Sequence, residues 1–498
     1  MNIPEYIKKI IEQLNQAGFE AWIVGGCVRD LLMNRQPKDW DITTNARPEA
    51  MLKIFPEAVY ENIFGTVLVK VKNESGETTD VVEVTTYRSE QGYSDRRHPD
   101  EIKFEDKLDE DLARRDFTIN ALAVAPLGTR KFEKNNYNKL IELDNEAYEL
   151  VDYFGGEKDI KQRIIRAVGE PGERFREDAL RLMRAVRFYC ELGFKIEDKT
   201  ERAMIKLAGG IKFVANERIS DELIKILKSD RPAEGIRKLE EIKLLQYIIP
   251  ELLEGIGMEQ RGHHIYTVFD HGVLALKHCP SADWRVRLAA LLHDVAKPKT
   301  RKVIAGVNTF YNHDFIGAKM TKKIVDRLKL SKVDAEKVVT LVANHMFYYS
   351  VDEVTAASVR RLIVKVGAEN LKDLIDLRVA DRLGSGTPKA MPYKLRHFQY
   401  MLDKVRHDPI SVKMLKINGQ DLMDILKIEP GPKIGAILDV LLSEVVENPE
   451  LNTKEYLSNK SQELNKLDLK ELREQAKLVI EEKRIEEDKK IKTSHHVA

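Results

Sequence analysis

The 498-residue sequence predicts an α+β protein whose second half is all-α. The first stretch, about 130 residues, alternates strand-like segments rich in β-branched residues with amphipathic segments. From about Val151 the apolar residues recur with the helical period of about 3.6 residues, and no further strands are expected. This length corresponds to roughly two to four domains.

The first half begins with an amphipathic helix, because Ile3, Ile7, Ile10, Ile11 and Leu14 share one side of MNIPEYIKKIIEQLNQAG. A helix is predicted at RPEAMLKIF and a turn at NESGE, among four strands at AWIV, DWDIT, TVLVKVKN and TTDVVEVTTYR. The helical half includes EDALRLMRAVRFYCEL, ERISDELIKILKSD and RPAEGIRKLEEIKLLQYI. Its tail contains INGQDLMDIL, a break at EPGPKIG, and AILDVLLSEVV, and the last 30 residues predict a fraying surface helix.

The composition indicates a soluble, cytoplasmic protein with no membrane segment. Hydrophobic residues make up 43% and charged residues 33% of the chain, and no apolar run approaches the roughly 18 residues of a membrane helix. Three widely spaced cysteines, Cys27, Cys190 and Cys279, favour reduced thiols. The net charge is only +1, but residues 161–187 hold eight basic side chains against four acidic ones. Such a concentrated face can bind phosphate, although a solvated helix surface would look the same.

A phosphate-binding turn is predicted at VGGCVRD, which follows a predicted strand and opens a predicted helix. Gly25 and Gly26 let the backbone approach a ligand, and the helix start offers free N–H groups to phosphate. Arg29 adds charge-assisted hydrogen bonds to a triphosphate. The alternative is an ordinary tight turn between a strand and a helix.

Two carboxylates, Asp39 and Asp41, are predicted on one face of the DWDIT strand because side chains alternate along a strand. Two carboxylates so close together repel each other. Their proximity becomes favourable when a divalent cation lies between them, which predicts a catalytic Mg²⁺ site. Asp-x-Asp also occurs by chance on edge strands. Glu83 is the candidate for a third catalytic carboxylate, with Asp80 as its alternative.

The segment LARRDFTINALAV places four polar side chains around a turn that enters an apolar run, namely Arg114, Arg115, Asp116 and Asn120. Arg115 can bind phosphate or sugar, and Asp116 can accept a hydrogen bond from a ribose hydroxyl. A helix-terminal ion pair is the alternative interpretation.

GGCVRD, DWDIT, EVTTYR, RRDFTINA and EDALRLMRAVRF, in this order and spacing, resemble the class II tRNA nucleotidyltransferases. This family comprises the CCA-adding enzymes and the bacterial poly(A) polymerases. The resemblance implies a polymerase-β-like catalytic head, Mg²⁺ at Asp39 and Asp41, and CTP, ATP and the tRNA 3′ end as substrates and partners.

In the predicted helix 177–191, polar residues recur every three positions, as Asp178, Arg181, Arg184 and Arg187. An aspartate that accepts from an exocyclic amine and an arginine that donates to a ring nitrogen together fit cytosine and adenine. Guanine and uracil present the reverse pattern and would leave buried polar groups unmatched. The resemblance implies this base-reading role for Asp178 and Arg181, and places the other two arginines at the incoming nucleotide. An exposed ion pair remains the alternative.

The resemblance also implies a mechanism in which an RNA 3′-hydroxyl attacks the α-phosphate of CTP or ATP, with two Mg²⁺ ions on Asp39 and Asp41. Relatives that add only CC are shortened in the loop after the EVTTYR-type strand. Here SEQGYSDRRHPDEIKFEDKL is present, which favours the capacity to add A. Whether C is also added stays open.

A second site is predicted from His271, the adjacent His293 and Asp294, and Asp381, which resemble the signature of the HD phosphohydrolase superfamily. The apolar LAALL before His293 suggests a buried helix, where these side chains would be costly without a metal. The ligand set suits Mn²⁺, Fe, Ni²⁺ or Co²⁺, or Mg²⁺. His313 and His345 are candidates for a second metal, and His263 and His264 for the rim. The resemblance implies phosphatase or phosphodiesterase activity on RNA ends, although HD folds kept only for structure also exist.

The predicted domains are a head at 1–150, a neck and body at 151–255, an HD domain at 256–388 and a tRNA-binding helical tail at 389–498. The tail is similar to that of nucleotidyltransferases with this HD insert, and Gly431, Pro432 and Gly435 open a helix at 434–446 that could meet backbone phosphate or simply form a packing corner. Alternative functions are poly(A) tailing, a protein that is chiefly an HD phosphohydrolase, and a non-catalytic RNA scaffold. A guanosine tetraphosphate synthetase/hydrolase is disfavoured because its two units occur in the opposite order.

Overall fold

A computed structural model describes residues 3–61, 65–73, 75–91, 101–127, 135–143, 145–260, 265–304, 307–347, 349–351, 354–387, 389–406, 415–474 and 492–497. It confirms the α+β class, with a sheet near the N-terminus and a helical remainder. The chain divides into two compact units, Met1–Ala343 with Asp376–Gly386, and Asn344–Ile375 with Thr387–Ala498. The predicted division into four domains stays a prediction.

The first unit contains every described strand. These are β1 (Ala21–Val24), β2 (Asp41–Thr44), β3 (Val59–Tyr60), β4 (Thr66–Lys72), β5 (Thr78–Thr86), β6 (Arg88–Gln91), β7 (Glu101–Phe104), β8 (Ala123–Pro126), β9 (Asn138–Leu143), β10 (Glu146–Val151), β11 (Ile164–Ile165), β12 (Lys195–Ile196), β13 (Lys302–Ile304) and β14 (Val307–Thr309). Eight of them form one sheet in the order β3-β4-β5-β2-β1-β8-β10-β9. All four predicted strand segments lie in this sheet.

The helices before the unit boundary are α1 (Glu5–Gln16), α2 (Gly26–Leu32), α3 (Pro48–Ile54), α4 (Leu108–Ala113), α5 (Gly156–Gln162), α6 (Pro171–Glu177), α7 (Leu180–Leu192), α8 (Asp198–Leu207), α9 (Asn216–Lys228), α10 (Pro232–Glu241), α11 (Leu245–Ile248), α12 (Val268–Lys277), α13 (Trp284–Leu292), α14 (Lys297–Thr300), α15 (His313–Arg327) and α16 (Lys332–Asn344). α1 buries Ile7, Ile10, Ile11 and Leu14, as its apolar period predicts. A core of Trp22, Val24, Tyr87, Leu112 and neighbouring residues lies on the sheet.

The register of the sheet brings the predicted site together. β2 pairs with β5 in parallel, so that Asp41 lies opposite Glu83. On its other side β2 pairs antiparallel with β1, which sets Asp41 opposite Val24, the residue directly before the Gly-Gly turn. Val24 in turn lies opposite Ala123 of β8. The glycine turn, both strand carboxylates and the start of β8 therefore meet at one edge of the sheet.

Three local predictions were wrong. Asp39 precedes β2 instead of lying within it. The predicted helix 177–191 is interrupted, because α6 ends at Glu177, Asp178 has extended backbone (φ −139°), and α7 begins at Leu180. Short strands also occur beyond Val151, in the pairs β11–β12 and β13–β14. Pairs of two or three residues carry too little periodicity to be recognised in a sequence.

The later helices are α17 (Ala356–Val366), α18 (Leu371–Gly384), α19 (Tyr393–Arg406), α20 (Gly419–Leu426), α21 (Pro432–Glu447) and α22 (Lys454–Leu464). The unit boundaries fall within α16 and α18. In the second unit Leu422, Ile437, Leu441, Leu457 and others form an apolar core around α20, α21 and α22. Gly431 is the N-cap of α21, as the tail sequence predicts. The last 30 residues lie largely outside the described residues, so their predicted fraying is untested.

Within the described part of the chain, no helix combines the length and the apolar character needed to cross a membrane.

Candidate functional site

The Gly-Gly turn is shaped for close approach between β1 and α2. Gly25 has φ +84°, and a Cβ atom there would lie 2.9 Å from Nη1 of Arg115 and 3.4 Å from Oδ2 of Asp41. A side chain at this position would therefore be strained and would displace the arginine. Glycine keeps the Arg115 guanidinium beside the Asp41 carboxylate.

Three predicted carboxylates influence one another at this edge. Burial raises the pKa of Asp41, Arg115 opposes that rise, and Asp39 adds to it. Burial also raises the pKa of Glu83, with further contributions from Asp41, Glu61 and Asp39. Because Asp39 makes ionisation of Asp41 more costly, and both make ionisation of Glu83 more costly, a bound cation would relieve the repulsion. Among the described residues, the three do not gather as tightly as the histidine clusters described below.

Asp80, the alternative to Glu83, lies elsewhere. It is three residues before Glu83 on β5, and therefore on the other face of the strand. Its carboxylate accepts a hydrogen bond of 2.8 Å from the Tyr6 hydroxyl. The register favours Glu83 as the third carboxylate, although Glu83 does not line the cavity described below.

Asp111, which sequence reasoning missed, organises the arginines from α4. Its carboxylate is completely buried and accepts from Arg114 Nε at 2.9 Å and from Thr43 Oγ1 on β2 at 3.2 Å. Arg115 Nη2 lies 3.5 Å from the same group. Burial raises the pKa of Asp111, but Arg114 and Arg115 outweigh it and the pKa is lowered. Asp111 thus ties both arginines to the strand that begins with Asp41.

Asp116 is also buried, and it joins the head to α7. It accepts from the Phe117 N–H at 2.8 Å, from Asn120 Nδ2 at 3.0 Å and from Arg184 Nε at 2.6 Å. Burial raises the pKa of Asp116, but Arg184 and Asn120 bring it down to about 2. Its predicted contact with a ribose hydroxyl stays a prediction, since a carboxylate has further acceptor capacity.

The Phe188 ring packs against three predicted nucleotide-binding arginines. The guanidinium carbons of Arg29, Arg184 and Arg187 lie 5.2, 5.5 and 4.5 Å from its centroid. Arg29 also donates to Asn120 Oδ1 at 2.8 Å and to the neighbouring Asp30. An aromatic face holds cations close together without neutralising them, and each of these arginines also pairs with a carboxylate, namely Asp30, Asp116 and Glu222 in turn.

The predicted base-reading pair lies at the break between α6 and α7, where each side chain has protein partners. Asp178 Oδ2 accepts from Arg218 Nη2 at 2.7 Å. Arg181 contacts Glu177 and donates to the main-chain carbonyls of Arg174 at 3.1 Å and Arg114 at 2.9 Å. Arg218 lies on α9, 40 residues beyond Asp178, and nothing in the sequence pattern marked it.

One cavity of about 910 Å³ gathers these groups. The predicted residues that line it are Gly25, Gly26, Arg29, Asp39, Asp41, Arg115, Asp116, Asp178, Arg181, Arg184 and Arg187. Eleven basic side chains face seven acidic ones, and Arg218, Lys225 and Lys228 were not predicted from sequence. This excess of positive charge, beside carboxylates at one end, suits a polyphosphate accompanied by a divalent cation.

The second site is the histidine–aspartate cluster of the first unit. The Nε2 atoms of His271 and His293 are 3.0 Å apart, and Asp381 Oδ1 lies 3.2 Å from the first and 3.6 Å from the second. Asp294 Oδ2 lies 3.2 and 3.3 Å from the same two nitrogens. His271, His293 and Asp381 offer ligand atoms that all lie within 4.8 Å of one another.

Backbone contacts orient the histidines of this cluster. His293 Nδ1 lies 2.8 Å from the Ala290 carbonyl, and His313 Nδ1 lies 2.7 Å from that of Phe310. If each Nδ1–H of a neutral imidazole donates to its carbonyl, each Nε2 keeps a lone pair that a metal ion beside Asp294 and Asp381 would accept. His313 Nε2 is 3.3 Å from Asp294 Oδ1.

Two cations also touch the carboxylates of the cluster. Lys297 Nζ lies 2.6 Å from Asp294 Oδ2, and Arg378 Nη1 lies 2.7 Å from Asp381 Oδ2. Burial raises the pKa values of both carboxyls, but the histidines and these cations lower them far below the usual range. Burial lowers the pKa of His293, but Asp294 and Asp381 raise it to about 10. The two carboxylates thus stay ionised, and a metal ion could take the place of the histidine proton that faces them.

Two other predictions concern histidines around this cluster. His345 belongs to the second unit, so its predicted part in a second metal site stays a prediction. His263 and His264 lie outside the described residues, as do residues 92–100 of the predicted polar loop SEQGYSDRRHPDEIKFEDKL.

Three family models match the chain. Residues 21–166 match a Poly A polymerase head domain, residues 193–255 a "Probable RNA and SrmB-binding site of polymerase A", and residues 314–460 a "tRNA nucleotidyltransferase domain 2".

Similar proteins include the CCA-adding enzyme of Ligilactobacillus salivarius, 32% identical across 93% of this chain and 98% of that protein. The A-adding tRNA nucleotidyltransferase of Deinococcus radiodurans is 38% identical across 67% of this chain and 74% of its own length. A crystal structure of the Bacillus stearothermophilus CCA-adding enzyme in complex with CTP is 26% identical, with a TM-score of 0.54 over 93% of this chain and 98% of that one.

Proposed function

The chain belongs to the class II tRNA nucleotidyltransferases, the family of the CCA-adding enzymes, and from this membership we propose that it adds CCA, or the terminal A alone, to the 3′ end of tRNA. CTP and ATP are the nucleotide substrates. The 3′-hydroxyl of the RNA attacks the α-phosphate of the nucleotide, and pyrophosphate leaves.

The observation that carries this proposal is the cavity that joins the sheet-edge carboxylates to the α6–α7 break. The arginines around Phe188 line the same cavity, in which basic side chains outnumber acidic ones, as binding of a triphosphate requires. A nucleotide with its phosphates near Arg29 and its base near Asp178 would therefore occupy the cavity that Asp41 also lines.

Asp39 and Asp41, with Glu83 beside them, would hold Mg²⁺, and their mutual effect on pKa fits such a ligand set. When bound, the metal supplies charge neutralisation at the phosphates and activation of the hydroxyl. Arg115 supports this end by keeping positive charge beside Asp41.

Base selection falls to Asp178 and Arg181. To accept from the N4 amine of cytosine or the N6 amine of adenine, Asp178 must share the carboxylate that now binds Arg218. Arg181 is anchored to two backbone carbonyls, so its guanidinium plane is restricted before the nucleotide enters. A guanidinium held in this way favours discrimination against guanine and uracil, because it cannot turn to match their reversed hydrogen-bonding pattern.

The experiment that tests the proposal supplies tRNAs truncated at each of the last three positions, with labelled CTP or ATP offered separately. A CCA-adding enzyme extends all three and then stops, an A-adding enzyme extends only tRNA ending in CC, and a poly(A) polymerase gives heterogeneous tails. Asp39→Ala should abolish incorporation while tRNA binding persists. Incorporation at the wild-type rate in that variant would remove the proposed role of Asp39.

A second activity is favoured by the convergence of His271, His293, Asp294 and Asp381 around one point. These residues would hold Mn²⁺, Ni²⁺, another divalent transition metal or Mg²⁺, which when bound supplies an activated water for phosphoester hydrolysis. Lys297, already at Asp294, would lie close to the phosphate. The substrates proposed are terminal or 2′,3′-cyclic phosphates of RNA.

Hydrolysis of a simple phosphodiester with added Ni²⁺ or Mn²⁺ tests this activity. His293→Ala should eliminate it and leave nucleotide addition unchanged, because the two sites use different residues. Metal-stimulated hydrolysis that persists in His293→Ala would refute the assignment.

A further inference from the structure

Four large apolar side chains are exposed just before or at the start of α12 and α15, the helices that carry His271 and His313. Tyr311 is 71% exposed, Phe315 60%, Ile265 73% and Tyr266 37%. Aromatic rings in water are costly unless something covers them, and such a patch beside a site indicates a binding surface. Tyr266, Tyr311 and Phe315 are called the aromatic rim below.

Two rings of the rim flank His313, which lies 3.3 Å from Asp294. Tyr311 is two residues before this histidine and Phe315 two residues after it, at the start of α15. The backbone carbonyl of Phe310 receives the His313 Nδ1 contact, so this histidine is held in place while its neighbours stay exposed. Phe310, directly before Tyr311, has its ring 5.6 Å from Lys297 Nζ, and this lysine touches Asp294, so a molecule bound at Asp294 lies near the start of α15, where both rings are exposed.

The third ring, that of Tyr266, lies close to the chain just beyond Asp381. A Cβ atom at Gly386, five residues beyond Asp381, would lie 2.9 Å from Ile265 and 3.5 Å from Tyr266. The Tyr266 carbonyl is 3.3 Å from Gln260 Nε2, and Gln260 Oε1 accepts from Lys297 at 2.6 Å. Tyr266 is thus linked through one side chain to the lysine that touches the cluster.

Several basic side chains accompany the rim, beside the acidic Asp314 that precedes Phe315. Lys319 Nζ lies 4.2 Å from the centre of the Phe315 ring, and Lys297 Nζ lies 5.6 Å from that of Phe310. Arg301 and Lys302, which begin the hairpin leading to Tyr311, are exposed. Aromatic faces interleaved with cations are the arrangement that binds single-stranded nucleic acid, by stacking bases and neutralising phosphates. Paired bases hide their faces, so a duplex would not use such a surface.

We propose that the aromatic rim stacks the last bases of single-stranded RNA and so presents its terminal phosphate to the histidine–aspartate cluster. This inference rests on the proposed phosphohydrolase activity of that cluster. It adds that the site selects polynucleotide ends over small phosphate esters. The bases of a polynucleotide gain binding energy by stacking at the rim, and a simple ester has no base to stack.

Photocrosslinking tests the surface independently of hydrolysis. The probe is a short 3′-phosphorylated oligouridylate carrying 5-iodouridine at its last two positions. Uracil is chosen because the proposed nucleotide site disfavours it. Irradiation of the full chain followed by peptide mass spectrometry should map adducts to Tyr311, Phe315 or Tyr266. Adducts found only at other positions, for example in the nucleotide cavity, would overturn the inference.

Kinetics with the Mn²⁺-loaded full chain provide the second arm. The Tyr311→Ala/Phe315→Ala double variant should raise KM for the oligouridylate about tenfold or more, the usual effect of losing stacked bases. Its kcat/KM for glycerol 2-phosphate, which has no base, should be unchanged. Tyr311→Phe should behave as wild type, as should Val333→Ala, which removes an equally exposed apolar side chain (70%) from α16.

The outcomes separate the two proposals. Equal losses for both substrates in the double variant, or none for either, would refute stacking. Absence of metal-dependent hydrolysis in the wild type would refute the phosphohydrolase activity, and the crosslinked positions alone would then decide whether the rim binds RNA.

Discussion

The buried pair Asp116–Arg184 offers the sharpest test of how the head is joined to α7. Asp116→Asn keeps the shape and the hydrogen bond with the Phe117 N–H but removes the charge that Arg184 faces at 2.6 Å. The pKa falls from 3.8 to about 2 on folding, which corresponds to about 2 kcal/mol of stabilisation at pH 7. One third of the Arg184 side chain is exposed to the cavity, so losses above about 4 kcal/mol are not expected.

The pH dependence follows from the direction of the shift. Because the folded pKa lies below the unfolded one, the stabilisation is present above about pH 4 and is lost as the pH falls toward 2. The difference between wild type and Asp116→Asn should therefore be about 2 kcal/mol at pH 7 and should shrink below pH 4.

Urea unfolding followed by tryptophan fluorescence measures this difference, since two of the three tryptophans, Trp22 and Trp40, lie in the head. Asp109→Asn is the matched control, because Asp109 is an exposed carboxylate of α4. Incorporation of AMP should also fall about tenfold in Asp116→Asn, because Arg184 loses its orientation. A stability difference equal to that of Asp109→Asn, with no pH dependence, would refute the reasoning.

Three further predictions concern other parts of the site. Arg218→Ala should weaken discrimination of CTP and ATP against GTP, since it removes the side chain that fixes the orientation of the Asp178 carboxylate; unchanged ratios of kcat/KM would contradict this. Asp111→Asn should lower kcat more than it raises KM for ATP, because Arg115 is displaced from the sheet edge, and steady-state kinetics check the split. His293→Ala should lose metal-dependent phosphodiester hydrolysis while retaining nucleotide addition, measured on the same preparation.

The chemistry-bearing residues of both sites could be predicted from short motifs, because each motif combines a local backbone requirement with a functional group. Gly25 needs a positive φ and lies beside a strand, and these properties are visible in VGGCVRD. The adjacent His293 and Asp294 after an apolar helix were equally visible. The strands of two or three residues, the position of Asp39 outside β2 and the break at Asp178 were not, since their signals are shorter than one structural period.

The sequence by itself determined the fold class and the kinds of side chain available for binding phosphate, metal and base. Only the tertiary structure decided which charged group faces which. Asp116 pairs with Arg184 across 68 residues, and Asp178 pairs with Arg218 across 40. His271 meets Asp381, which lies more than one hundred residues further along the chain. Local periodicity describes neighbours within one element, whereas such pairs depend on strand register and helix packing between distant segments.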